Sequence, residues 1–468
     1  MDELIAASAT DVVARLKAGE ITPHDCLDAL ERRIAQVDGR INALPILCFD
    51  RARKHADALM RKPVAERGLL AGLPVPIKDL SKVAGVRSTS GSRIFANLVP
   101  DQSDITVEMI EREGGIVYAK SNVPEFGAGG NTFNDVFGAT RNPWNLARTA
   151  AGSSGGAAAA LASGTAWLAH GSDMGGSLRN PASFCGIVGM RPTPGRCAAT
   201  NLTEVDQTLG VQGPMARNVA DLALLLDAMA GEHRGDMLSK PRPREPFVNA
   251  AREERKPARI AYSADLGITP VDPEVAAITR AAAERLARDG VIVEEARPDF
   301  SGAHECFHVL RAQAFAIIHG QLVAAHRDKY KPDLLWNIEE GFKLTQKRIM
   351  QAQWRRVQLT RNLDAFLQDY DLLLTPATIT AAFPIEQPWL AECAGQKLEN
   401  YVLWLAIAYA ITLCGAPAIS LPCGFTREKL PVGLQIVAPT NEDAKAIAGA
   451  AYIERLLAVT PKTPIDPR

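Results

Sequence analysis

Along the first sixty residues apolar positions recur at helical spacing and predict two helices. The first covers Ala7–Lys17. In the second, Thr22 stands as the N-cap and Pro23 as the first helical residue. It runs to about Val37, where Asp38-Gly39 reads as a turn. Short apolar runs bounded by glycine, Val75–Ile77 and Ile116–Ala119, predict buried strands. Later, strand Arg259–Tyr262, helix Pro273–Asp289 and strand Val291–Glu294 alternate as β-α-β, which favours an α/β sheet. Helices dominate residues 303–369, and Asp371–Thr375 and Val432–Val437 read as late strands. From Tyr401 to Phe425 there is no charged residue, a run long enough to span a bilayer. Gly415, Pro417 and Pro422 interrupt it, so it reads as a buried helix over Tyr401–Leu413, a turn, and a strand Ala418–Leu421.

The polar stretches mark what lies between. Residues 231–258 carry Glu232, His233, Arg234, Lys240, Arg242 and Arg244 among prolines, the pattern of an exposed connection. No internal repeat or low-complexity tract is present. The chain has 468 residues, 47% of them hydrophobic, enough for a large core. Its net charge of −1 offers no basic excess for nucleic acid. The eight cysteines form no CxxC pair, and no histidine cluster has zinc-ligand spacing. They are expected to be free thiols, with a cytoplasmic location. Met1–Ala14 carries Asp2, Glu3 and Asp11 without a basic start, and is not expected to be a secretory signal.

The chemistry concentrates between Gly68 and Gly195, a region dense in glycine and serine. Glycine there lets backbone approach a ligand closely. Two serine sites stand out, Gly152-Ser153-Ser154-Gly155-Gly156 and Asp173-Met174-Gly175-Gly176-Ser177. Upstream, Lys78 ends the short apolar run Leu73-Pro74-Val75-Pro76-Ile77. A serine hydroxyl needs a base, and a tetrahedral intermediate needs N–H donors aimed at its oxyanion. The run Met174-Gly175-Gly176-Ser177 offers a nucleophile and adjacent N–H groups together. Lys78 serves as base if burial disfavours its ammonium form, and a second serine can relay the proton. A rival reading takes Gly152–Gly156 as GxSxG with Ser154 as the nucleophile. It needs a catalytic histidine, and of His170, His304, His308 and His319 the last three fall in predicted helices. Gly127-Ala128-Gly129-Gly130-Asn131 is a candidate pocket loop.

The segment Ala150–Arg196 closely resembles the signature of the amidase signature family. The likeness extends to Gly72–Asp79, to Ser121–Phe126, to Arg141-Asn142-Pro143-Trp144 and to Pro431–Gln435. It implies a Ser–Ser–Lys triad: Ser177 as nucleophile, Ser153 as the bridging serine after a cis peptide bond, and Lys78 as base. It places the oxyanion hole on the N–H groups of Met174, Gly175, Gly176 and Ser177. By analogy Gly127, Gly129, Gly130 and Asn131 lie near the acyl side of the substrate. Departures are small, with Ala151, Ala157, Ser172 and Met174 standing where other residues are common. Beside the triad, Ser154 and Cys185 are read as structural, Asp173 as orienting the glycine turn, and Arg179 as an anchor for nearby carboxylates or carbonyls. The implied fold is α/β, a large twisted mixed sheet covered by helices on both faces, as one domain over residues 1–468. Within it, residues 1–60 are the N-terminal helices and 68–196 the signature core. The implied activity is cleavage of a C–N bond in a small aryl or aliphatic amide or carbamate, through an acyl-enzyme. No cofactor, metal, nucleic acid or membrane is called for, and homodimers are common in the family. The alternative is the A-type component of a tRNA-dependent amidotransferase, a glutaminase within a hetero-complex.

Overall fold

A computed structural model of the chain describes residues 2–200, 208–459 and 463–468. Its centre is an eight-stranded mixed sheet. In spatial order the strands are Ile292–Glu295, Arg259–Tyr262, Leu372–Pro376, Pro431–Val437, Ala418–Phe425, Val188–Arg191, Val211–Ala216 and Leu168–Asp173. The first three run parallel, the first two joined by helix Pro273–Arg288 as a β-α-β unit. The others pair antiparallel. A three-stranded sheet, Ile46–Leu47, Ile116–Ser121 and Pro74–Lys78, meets the edge strand Leu168–Asp173. That junction brings Lys78 beside the Gly/Ser-rich turns.

The central strands are apolar at successive positions because both sheet faces are covered. Ile260, Tyr262, Leu372 and Leu374 belong to one core, with helices Val219–Met229, Pro273–Arg288 and Asp443–Leu457. The alternate residues Ala261 and Leu373 belong to a second core, with helices Ala303–His326, Gln346–Phe366 and Ala406–Cys414. A strand's side chains point to opposite faces in turn, so this division puts helices on both sides.

Three expectations shift. The second helix runs on through Asp38-Gly39 to Ile41, with Asn42 in the left-handed cap conformation. Ile41 is buried, and the Asp38 carboxylate accepts from the amides of Ala43 and Leu44, so the expected turn residues serve the exit from a longer helix. The helix expected over Tyr401–Leu413 is a short 3₁₀ turn, Leu403–Leu405, followed by Ala406–Cys414, which ends on Gly415 at φ 69°. Residues 231–258 contain a helix, Phe247–Glu253, docked through Phe247 and Ala251. Its first two amides donate to the Asp227 carboxylate at 2.7 and 3.0 Å. No helix among the described residues is long and apolar enough to cross a membrane.

Candidate active site

Strand Pro74–Lys78 ends on a lysine whose whole side chain is buried. Its Nζ lies 2.8 Å from Ser153 Oγ, 2.9 Å from Ser172 Oγ and 3.1 Å from the Ser172 carbonyl. Ser153 follows a cis peptide bond, Gly152–Ser153, just before helix Gly155–Ser163. Ser154 is its N-cap, fully buried, with its amide donating to the Ser177 carbonyl at 3.1 Å. The two serine turns are thereby stitched together.

Ser177 sits in the turn between strand Leu168–Asp173 and helix Arg179–Cys185. Asp173 shapes that turn. One carboxylate oxygen accepts from the Gly176 amide and the other from the Leu178 amide, each at 3.0 Å. Gly176 holds φ 104°, and a Cβ there would stand 2.5 Å from Asn180 Oδ1 and 2.7 Å from Ala408 Cβ. Only glycine fits that position.

Two carboxylates lie near Lys78, and both are spent elsewhere. Asp79 pairs with buried Lys120 at 2.8 Å, which also reaches the Ser81 carbonyl and Ser88 Oγ. Asp173 takes Arg179 on both oxygens, at 2.8 and 3.1 Å, with Arg191 at 3.6 Å. Burial alone would raise the Asp173 pKa, but the two guanidinium charges and the turn amides hold it well below the usual carboxylate range. Burial lowers the Lys78 pKa to about 7, a drop that the charge on Asp173 only partly opposes. A substantial neutral fraction near physiological pH follows.

The histidines stand apart from this chemistry. His170 is buried, its Nδ1 accepting from the Lys78 backbone amide and its Nε2 bonded to Gln212. Burial, then the Lys78 charge, push it down to about 3, so it is neutral. His304, His308 and His319 all lie on helix Ala303–His326. Burial lowers His319 to about 4. Cys185 is buried, and desolvation raises its thiol pKa far above the ordinary value.

Ser153, Ser172, Met174, Gly175 and Ser177 line a cavity of about 260 Å³. Its lining also includes Phe126, Gly127, Gly129 and Gly130, with Arg311, Phe315 and Leu405. Gly127, at φ 73°, lies so near Ser153 that a Cβ would stand 3.4 Å from its Oγ and 2.8 Å from Leu80. Asn131, the neighbouring candidate, is absent from this lining. Its side chain donates to the Pro388 carbonyl at 2.8 Å and accepts from Thr149 at 3.0 Å. The glycine loop is clamped from behind by Lys331, whose Nζ donates to the Ala128 carbonyl and whose amide donates to Glu125. Sequence reasoning gave no role to Ser172, Lys120 or Arg191. Ser172 carried a signal, a second hydroxyl one residue before the Asp173 turn, but its contact with Lys78 depends on the junction of two sheets.

A cis-linked serine bonded to a buried lysine, beside a second serine in a glycine turn, invites comparison with known proteins. The amidase family model matches residues 25–447. The chain belongs to the amidase family. It is 35% identical to an acylamidase of Rhodococcus erythropolis, over 98% of this chain and 97% of that protein. It is 34% identical to the A-type component of the glutamyl-tRNA(Gln) amidotransferase of Moorella thermoacetica, over 97% of each chain. Among solved structures, a bacterial aryl acylamidase of the amidase signature enzymes superposes with a TM-score of 0.90, at 27% identity over 96% of each chain. The corresponding glutamyl-tRNA(Gln) amidotransferase component of Thermotoga maritima gives 0.72 at 27% identity, covering 93% of this chain and 94% of that one. This amidase is a hydrolase of carbon–nitrogen bonds in amides, on the expected amidase signature fold.

Proposed function

We propose that this amidase hydrolyses small amides, aryl amides foremost, by way of Ser177, Ser153 and Lys78. The observation that carries the mechanism is the 2.8 Å contact from Lys78 Nζ to Ser153 Oγ at a lysine whose pKa burial lowers to about 7. Neutral Lys78 accepts the Ser153 proton, Ser153 takes the proton of Ser177, and Ser177 Oγ attacks the carbonyl. The oxyanion is held by the N–H groups of Met174, Gly175 and Ser177, since that of Gly176 already donates to Asp173. The proton returns through Ser153 to the leaving nitrogen, and water attacks the acyl-enzyme by the reverse relay. Gly127, Gly129 and Gly130 bound the substrate, with Asn131 holding their loop in place.

The closer superposition on an aryl acylamidase than on an amidotransferase component supports a free-standing hydrolase. In this reading residues 1–468 act as one catalytic unit, alone or as a homodimer. It works in the cytoplasm on small molecules, without nucleic acid or membrane. The test is hydrolysis of p-nitroanilides, anilides, primary amides and aryl carbamates by the purified chain, beside Lys78→Ala. Turnover that disappears in the variant is expected. Glutamine hydrolysis only when partner proteins are added, with no turnover of the panel, would transfer the chain to the amidotransferase class.

A further inference from the structure

Helix Ala303–His326 turns Arg311, Phe315 and Ile318 toward the cavity that holds Ser153 and Ser177. Positions i, i+4 and i+7 share one helix face. Arg311 is only 5% exposed. Its guanidinium lies 4.1 Å from the Phe315 ring centroid and 5.2 Å from that of Tyr401. One terminal nitrogen, Nη1, is buried with no hydrogen-bond partner. Of the other buried basic groups around the site, Lys120 has Asp79, Arg179 and Arg191 share Asp173, and Lys78 is held by hydroxyls and a carbonyl. Arg311 has none among the described residues. The two rings favour a cation, and the nearby Tyr401 hydroxyl is kept neutral by burial, so neither supplies counter-charge.

A buried, unpaired guanidinium is costly to keep unless something that binds there completes it. The cavity is where that completion can come from. Met174 packs against the same small apolar cluster as Phe315. A Cβ on Gly175 would meet Phe307 of the same helix at 3.5 Å. Arg311 and the Ser177 turn therefore line one cavity.

We propose that Arg311 makes this amidase selective for amides that carry a carboxylate a few bonds from the scissile carbonyl. The carboxylate pairs with the guanidinium inside the cavity while the amide carbonyl lies at Ser177. This substrate class rests on the amidase reading above. Arg311 is a specificity residue, remote from the reacting atoms.

The experiment compares succinyl and glutaryl p-nitroanilides with uncharged branched-alkyl counterparts of the same shape. It uses the full chain, Arg311→Met and Arg311→Lys. The native chain is expected to favour the acidic member of each pair. Arg311→Met should lower kcat/KM for the acidic members by about tenfold or more beyond any loss on the neutral ones. Arg311→Lys, which keeps the charge if the methionine variant fails to fold, should retain part of the preference. Equal losses on both members, or a native chain that favours the neutral ones, would overturn the proposal. If no anilide is turned over, the aryl-amide reading fails separately. Calorimetric binding of the same pairs to Ser177→Ala, with and without Arg311→Met, then decides the role of Arg311: tighter acidic binding that needs Arg311 supports it, and equal binding sinks it.

Discussion

Lys78 pairs neither with Asp79, its neighbour in sequence, nor with Asp173, whose charge acts on it. Each is claimed by another cation, which leaves the lysine with hydroxyls and a carbonyl as partners. The arrangement suits a base, because the ammonium is desolvated without being neutralised. Its protonated form should dominate below pH about 7, so kcat/KM for an uncharged anilide should climb as pH rises through that value and then level. A pH–rate profile checks this, and an acid limb below pH about 5 would rule out Lys78 as the titrating base. Ser172 gives a second prediction at this scale. Its Oγ lies 2.9 Å from Lys78 Nζ and fixes the amine toward Ser153. Ser172→Ala should lower kcat about tenfold with little change in KM. Steady-state kinetics on one anilide decides it, and a change confined to KM would contradict a positioning role.

At the scale of elements, helix ends do much of the placing. The helix Pro23–Ile41 starts on a capping box, with Thr22 and Asp25 exchanging bonds, and leaves through Asp38, whose carboxylate receives two backbone amides. The next strand then pairs with Ile116–Ser121, the neighbour of the Lys78 strand. Asp38→Ala should cost about 1–3 kcal/mol by stranding those amides. Urea denaturation monitored by circular dichroism measures it, and an unchanged midpoint would show that water replaces the carboxylate at no cost. The turn before helix Arg179–Cys185 is less forgiving. Gly176→Ala combines a left-handed φ with contacts at 2.5 and 2.7 Å. Activity should fall to background even where the chain remains folded, as read by circular dichroism beside the anilide assay.

Across the whole molecule, Asp173 and Arg179 tie distant segments to one point. Arg179 also donates to Gln435 in a central strand and to the Ala408 carbonyl in helix Ala406–Cys414, while Arg191 reaches the Asp173 carbonyl. The Ser177 turn is thus anchored to the sheet and to the helical layer beside it. Asp173→Asn would leave two buried guanidinium groups without their carboxylate, at a cost of about 3–5 kcal/mol. A large drop in thermal midpoint is expected, and one within experimental error would mean that the arginines find other partners.

Much of this was legible in the chain. Thr22-Pro23 marks a helix start because capping and the proline φ are local effects, and the helix begins there. Strand Arg259–Tyr262 and the following helix were readable because burial imposes short apolar runs and helical periodicity. The glycine-flanked serines and Lys78 were visible as candidates because their chemistry demands those residue types. Other features were invisible locally. Helix Pro23–Ile41 overran its Asp-Gly signal because Ile41 finds a buried seat, a tertiary effect. Asn131 looked like a pocket residue, but Thr149 and the distant Pro388 carbonyl claim its side chain. Sequence alone determined many of the elements, the family resemblance and which residues stood as candidates. Only the tertiary structure decided the burial of Lys78, the shared burden of Asp173 and the place of Arg311, which has no carboxylate among the described residues. Those depend on which partners distant strands and helices bring within a few ångströms, and on how much water they exclude.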